Sequence, residues 1–227
     1  CRYFFLKSMS LLCDTLVFIR HHQDGEIAEK IRNSGLGYNM NYGVSSMLLA
    51  NYAKKTGRNQ ELAESLWKEN FREAKLTTFM VADPTHLSET QINTYVHGCT
   101  NIEMVEIAAL YLFSHLDEAL KYAKQWIRSD ERYVKMAGYL TIARLAVLKK
   151  FGTADDLNEI FSLYETDLVS HDKLLYQSVT KAFQELAFRR QDLKDAIIAK
   201  TNYICERNKG TEFELQIREM IQILKYC

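Results

Sequence analysis

A single proline, Pro84, and nine glycines are all that interrupts a chain of 227 residues, which leaves few positions for sharp turns, bulges or strand edges. Between those breaks apolar residues recur at spacings of three and four, and Ala, Leu, Glu and Lys recur throughout. Propensity and pattern therefore both point to helix along the whole length. With 47% hydrophobic residues the chain can bury a continuous core without disulfides or metals. The expected fold class is all-α.

The stretch from Tyr3 to His22 sets Phe5, Met9, Leu12, Leu16 and Ile19 on one helical face. Turn formers crowd between Asn33 and Gly43, and a helix is expected from Val44 to Lys55, ending at Thr56-Gly57. Further helices are expected over 61–68, 72–81, 89–96, 103–113, 118–127, 131–150, 154–168, 173–188, 193–207 and 213–224, with Asp83-Pro84 and Ser129-Asp130 as stops or caps. Taken in pairs they form units of roughly 35 to 40 residues, near the period of HEAT-like repeats. One such pair cannot bury its apolar face alone, so the pairs are expected to stack into a right-handed α-α superhelix with a concave face. No linker, low-complexity tract or charge block divides the sequence, which favours one domain over residues 1–227.

Basic and acidic residues number 29 each, so the whole molecule exerts no long-range pull on nucleic acid or anionic lipid, and any such binding must come from a local patch. The five cysteines are odd in number and lack C-x-x-C spacing, which argues against a disulfide framework or a zinc site. No metal spacing of the HExxH kind, nucleophile elbow, P-loop or dinucleotide fingerprint occurs, so no cofactor is expected. Arg2, Lys7, Asp14 and Arg20 break up even the apolar first segment, well short of the roughly 20 apolar residues of a membrane span. A cytoplasmic, monomeric protein without membrane partners is the expectation. The sequence opens on Cys1 rather than Met, which leaves a preceding segment open.

Three passages carry a family signal. Tyr42-Gly-Val44 is followed by Leu48, Leu49 and Ala53, then by Leu62-Ala-Glu-Ser-Leu-Trp67 and Arg72-Glu73; Trp126 to Lys135 joins a helix end, a Ser-Asp turn and a new helix opening on Tyr133; and Lys181-Ala-Phe-Gln-Glu-Leu-Ala187 lies late in the chain. Together, from about Tyr42 to Asn208, they resemble the bacterial DNA alkylation repair family, the AlkD-like alkylpurine DNA glycosylases. The resemblance implies a solenoid of HEAT-like helix pairs holding duplex DNA in a basic concavity. In active members a tryptophan, an acidic residue and, three places on, an aspartate open a central helix beneath the DNA. The matching passage here is Asn101-Ile-Glu-Met-Val-Glu106, with Ile102 at the tryptophan, Glu103 at the acidic residue and Glu106 at the catalytic aspartate. On the same resemblance Lys181 stands at a second wall tryptophan, and Met136, beside Lys135, at an expected arginine.

These replacements bear on chemistry. Expelling an alkylated purine builds positive charge on the sugar, which a fixed carboxylate stabilises, by about a hundredfold or more in rate. Glu106 keeps that charge on an arm one methylene longer, and misplacement by about 1 Å can cost on the order of a hundredfold. Ile102 lacks the indole face that attracts a cation, and Lys181 would oppose one unless it meets a phosphate. The candidate catalytic residues are thus Glu106 and Glu103, and the candidate DNA contacts are Tyr133, Lys135, Lys181, Arg128, Arg132, Lys54, Arg189 and Arg190. Each has a plain structural alternative: two acids on a solvated helix face, basic residues balanced by neighbouring acids, and tryptophans 67 and 126 as core packing. The expected function is binding of duplex DNA, with damaged or distorted duplex as the target and the glycosylase site altered. An active alkylpurine glycosylase using Glu106 and a protein-binding repeat scaffold stand as alternatives.

Overall fold

A computed structural model describes residues 2–226, with side chains from residue 11 onward. Among the described residues there are thirteen α-helices and one 3-10 turn, with no strand. They are α1 (Arg2–His21), α2 (Gly25–Asn33), α3 (Ser46–Thr56), α4 (Gln60–Lys68), α5 (Arg72–Val81), α6 (Glu89–His97), α7 (Ile102–Tyr111), the 3-10 turn Phe113–His115, α8 (Ala119–Trp126), α9 (Arg132–Val147), α10 (Ala154–Asp167), α11 (Lys173–Arg189), α12 (Gln191–Arg207) and α13 (Glu214–Tyr226). None of the described helices is long and apolar enough to cross a membrane.

Most boundaries fall where caps and periodicity place them. Asn59, Ser88, Asn101 and Asp172 each accept a backbone N–H from the first turn of the helix they precede. One helix is not among those expected from the sequence. In α2 the apolar residues Ile27, Ala28 and Ile31 share one face, of which only Ala28 is buried; Asp24 caps the helix through the Ile27 N–H, and Lys30 pairs with Glu26 one turn away at 2.6 Å. At the other extreme α9 stops at Val147, short of the expected Lys150. Lys149 takes φ +57°, and the N–H of Lys150 returns to the Leu145 carbonyl at 2.8 Å, closing the helix with a left-handed residue. The side chains of Phe5 and Met9, expected on the inner face of α1, lie outside the described ones.

The helices gather into two compact units, Cys1–Asp117 and Glu118–Cys227. In the first, α5 lies at the centre, with nine of its ten residues buried, and packs against α3, α4 and α7. Half of its residues are polar, and Arg72, Glu73, Thr77 and Thr78 are buried with hydrogen bonds that satisfy them. From it Phe79 meets Trp67, Tyr95 and Phe113 edge-on at centroid separations of 5.7, 6.1 and 6.2 Å. Such pairs add about 0.5–1.5 kcal/mol each beyond the area they bury. In the second unit α9 takes the central place against α8 and α11, with eleven of sixteen residues buried. Gly138 permits its close approach to α8, because a Cβ there would lie 2.6 Å from the Ile127 side chain and 2.8 Å from the Ala123 carbonyl. Further along, Phe183 of α11 stacks on Tyr164 of α10 at 3.7 Å, and the Tyr164 hydroxyl bonds Thr201 of α12 at 2.7 Å.

Candidate nucleic-acid interface

The start of α7 is built from three separate parts of the first unit. Asn101 caps the helix: its side-chain oxygen accepts the Met104 N–H at 3.0 Å and the Tyr38 hydroxyl at 3.2 Å. Glu103, in the first turn, accepts Nε and Nη2 of Arg72 at 2.8 and 2.5 Å and the Tyr38 hydroxyl at 2.8 Å. Arg72 is itself 4% exposed and donates through Nη1 to the Val44 carbonyl at 2.8 Å and to Glu73 at 3.1 Å. Glu73, wholly buried, accepts the backbone N–H groups of Tyr42 at 3.0 Å and Val44 at 3.2 Å.

Burial alone would pull the Arg72 pKa down; the hydrogen bonds and charges of Glu103 and Glu73 outweigh it and leave the guanidinium raised. The Tyr38 hydroxyl is pushed up from its ordinary value, first by burial and then by the Glu103 charge. The Arg72-Glu73 and Tyr42-Gly-Val44 passages are thus one buried polar network that ties the loop before α3 to α5 and α7. Gly43 makes the fit possible: it holds φ +75°, and a Cβ there would lie 2.1 Å from the Asp24 carbonyl oxygen and 2.6 Å from the Ala28 nitrogen.

This arrangement separates the two candidate carboxylates. Both oxygens of Glu103 are engaged by Arg72 and Tyr38. Glu106, one turn further along α7, is exposed and has no hydrogen bond or ion pair among the described residues. The carboxylate free to act on a ligand is therefore that of Glu106, with Ile102 half-buried one turn before it.

In the second unit the candidate cations divide in the same way. Arg132, at the start of α9, clamps Asp172 through Nε and, at 2.7 Å, through Nη2, while Asp172 caps α11 by accepting the N–H of Leu174 at 3.0 Å. The Arg132 hydrogen bond, opposed by burial, holds the Asp172 carboxyl below the usual range. Tyr133 is half-buried beside this clamp, its ring 5.2 Å from the Arg132 guanidinium and its hydroxyl accepting from it at 3.2 Å. Lys135 pairs at 3.2 Å with Asp167, which also accepts the Tyr139 hydroxyl at 2.7 Å. Met136 is fully buried, so nothing at that position reaches a ligand.

Arg190 grips Asp192 and the carbonyls of Phe151 and Gly152, the last at 2.7 Å. Its neighbour Arg189 is exposed, 3.4 Å from Glu185 and packed over Phe188. Arg128 bonds the Lys124 carbonyl and lies 4.0 Å from Glu159. Lys181 of α11 and, in the first unit, Lys54 of α3 are exposed without an ion pair among the described residues. Exposed pairs such as Arg189–Glu185 contribute little and can exchange a carboxylate for a phosphate, whereas Lys135 and Arg190 are held by the fold.

One residue escaped the sequence reading. Lys75 is the only position of α5 that is not buried, and its ammonium lies 4.3 Å from the Trp67 ring centroid. In the sequence it is the second cation of this helix, three residues after Arg72, with nothing to single it out. No group of His, Cys, Asp and Glu among the described residues is placed to hold a metal ion.

Residues 19–221 match the family model described as DNA alkylation repair enzyme. The chain belongs to this family. Its fold is also that of a solved protein reported under the words "a new family of proteins related to the HEAT-like repeat DNA glycosylases with affinity for branched DNA structures". The two align with a TM-score of 0.77 at 17% identity, over 93% of this chain and 94% of that one, a likeness that establishes the fold. Among curated proteins none matches the sequence. In this DNA alkylation repair family member the charge is unevenly shared. The first unit has 11 basic residues against 13 acidic, and the second 18 against 16, so the small cationic surplus lies in the second unit.

Proposed function

We propose that this family member binds branched or distorted DNA through its phosphates and does not cleave alkylpurines. The observation that carries the reading is the family match combined with the fold likeness to a protein of a group with affinity for branched DNA. The α7 passage adds to it: Glu103 is occupied by Arg72 and Tyr38, and Ile102 supplies no indole face for a cationic base. Of the candidate cations, Lys54, Arg128, Lys181 and Arg189 have side chains open to phosphate, and Tyr133 is the aromatic best placed beside a helix start to meet a sugar or base. The reading takes residues 1–227 as one functional domain, monomeric, cytoplasmic and without a cofactor.

The test is binding of fluorescent three-way junction, intact duplex and alkylated duplex, each at two salt concentrations. Junction binding tighter than duplex binding is expected. If about five phosphates are neutralised, a fourfold rise in salt weakens it by roughly 500-fold. Salt-insensitive absence of binding would reject the reading and favour a protein-binding scaffold. One observation favours a second reading, the free and exposed carboxylate of Glu106. Release of 3-methyladenine or 7-methylguanine that disappears in Glu106→Gln would establish it as a glycosylase.

A further inference from the structure

Lys75 has no carboxylate partner among the described residues; its ammonium donates to the Trp67 carbonyl and lies over that residue's indole. An ammonium carries three donors, so one neutral acceptor and a ring leave it able to take an anion. Burial pulls the Lys75 pKa below the usual lysine value, and the charge of Glu69 offsets part of that. An anion brought beside it would relieve an existing desolvation cost.

The lysine lines a pocket of about 430 Å³ that lies wholly within the first unit. Its walls include Tyr38, Trp67 and Met104, and its rim the exposed polar side chains of Asn70 and Thr100. Gly98 belongs to the wall as well: a Cβ there would lie 2.3 Å from the Trp67 ring, so only glycine lets the backbone close against the indole. The first turn of α7 backs Tyr38, because Glu103 and Asn101 accept its hydroxyl and hold the ring in place. Flat aromatic surface, one under-used cation and polar groups at the mouth, in a volume within the range of small-molecule sites, match a planar base that carries a phosphate.

We propose that this pocket takes one unstacked nucleotide, with its phosphate against Lys75 and its base against the aromatic wall. An unpaired nucleotide at a DNA branch point and a free mononucleotide share that chemistry. The first source rests on the DNA-binding function proposed above.

Trp67 reports occupancy directly. The chain has two tryptophans and Trp126 is 5% exposed, so Trp126→Phe leaves Trp67 as the sole indole emitter. In the unaltered chain the two indole N–H resonances provide the same readout without a core substitution. The full-length protein is titrated with a deoxynucleoside monophosphate and with a three-way junction carrying one unpaired nucleotide at the branch, while junction binding is followed by anisotropy. A saturable change at Trp67 is expected, weakened about tenfold by Lys75→Met, partly restored by Lys75→Arg and blocked by Asn70→Phe at the rim. A response to both ligands identifies a site open to free nucleotide, and a response to the junction alone assigns it to DNA. A Trp67 signal unmoved by either ligand, or equally strong in Lys75→Met, overturns the pocket. Junction binding with a silent Trp67 rejects the pocket alone; a mononucleotide response without junction binding rejects the DNA-binding reading alone.

Discussion

Glutamine at position 103 would preserve the shape of that side chain and remove its charge from a place where Arg72 is 5% and Glu103 22% exposed at the side chain. The carboxylate accepts three hydrogen bonds, two from the guanidinium and one from Tyr38. An amide oxygen can keep one or two of these, but the NH2 group then faces a donor. Hydrogen bonds to charged groups contribute about 1.5–3 kcal/mol each. Glu73 remains beside Arg72 at 3.1 Å and limits the damage. The expected destabilisation of Glu103→Gln is therefore about 2–4 kcal/mol. At about 2–4 °C per kcal/mol for a chain of this size, thermal unfolding followed by circular dichroism should show a Tm about 4–16 °C lower. Glu106→Gln, at an exposed position without a partner, is the control and should stay within about 0.5 kcal/mol of the unaltered chain. A Glu103→Gln protein melting as the control does would refute the assignment of Glu103 to the Arg72 and Tyr38 network and return it to the pool of reactive carboxylates.

Two further outcomes follow from the geometry. Gly43→Ala places a Cβ at 2.1 Å from the Asp24 carbonyl on a φ of +75°, and should cost more than about 2 kcal/mol in a denaturant titration; an unchanged midpoint would mean that the loop shifts freely away from α2. Asp172 has its folded pKa depressed, chiefly by Arg132, so its contribution is present above the unfolded value of about 3.9 and is lost as pH falls through the folded one. Asp172→Asn should accordingly be less stable than the unaltered chain at pH 7 and lose less on acidification, as read from urea midpoints at neutral and acid pH; equal acid sensitivity would exclude the Arg132 clamp as its source.

Much of the helical framework was legible because its causes are local. The bounds of α5, Arg72–Val81, agree with the expected ones to the residue, since a polar break precedes the helix and Asp83-Pro84 follows it. Where the local signal is short it fails: α2 offers little more than one turn of apolar residues, Ile27, Ala28 and Ile31, ahead of a run of turn formers. The family resemblance also selected a passage, Asn101 to Glu106, that begins a helix and carries two acids one turn apart.

What that passage does was decided elsewhere in the chain. Glu103 and Glu106 look alike in sequence, yet the first is held by Arg72, 31 residues away, and by Tyr38, 65 residues away, while the second faces solvent. In the same way Arg132, Lys135 and Arg190 read as available cations until Asp172, Asp167 and the carbonyls of Phe151 and Gly152 are brought against them. The sequence by itself determined most of the helices and their order, because propensity, capping and apolar spacing act over a few residues, and its motif passages carried the resemblance to the family. Only the tertiary structure decided which charges are spent and which are free. A buried charge needs a partner, and that partner comes from whichever distant helix the packing places beside it.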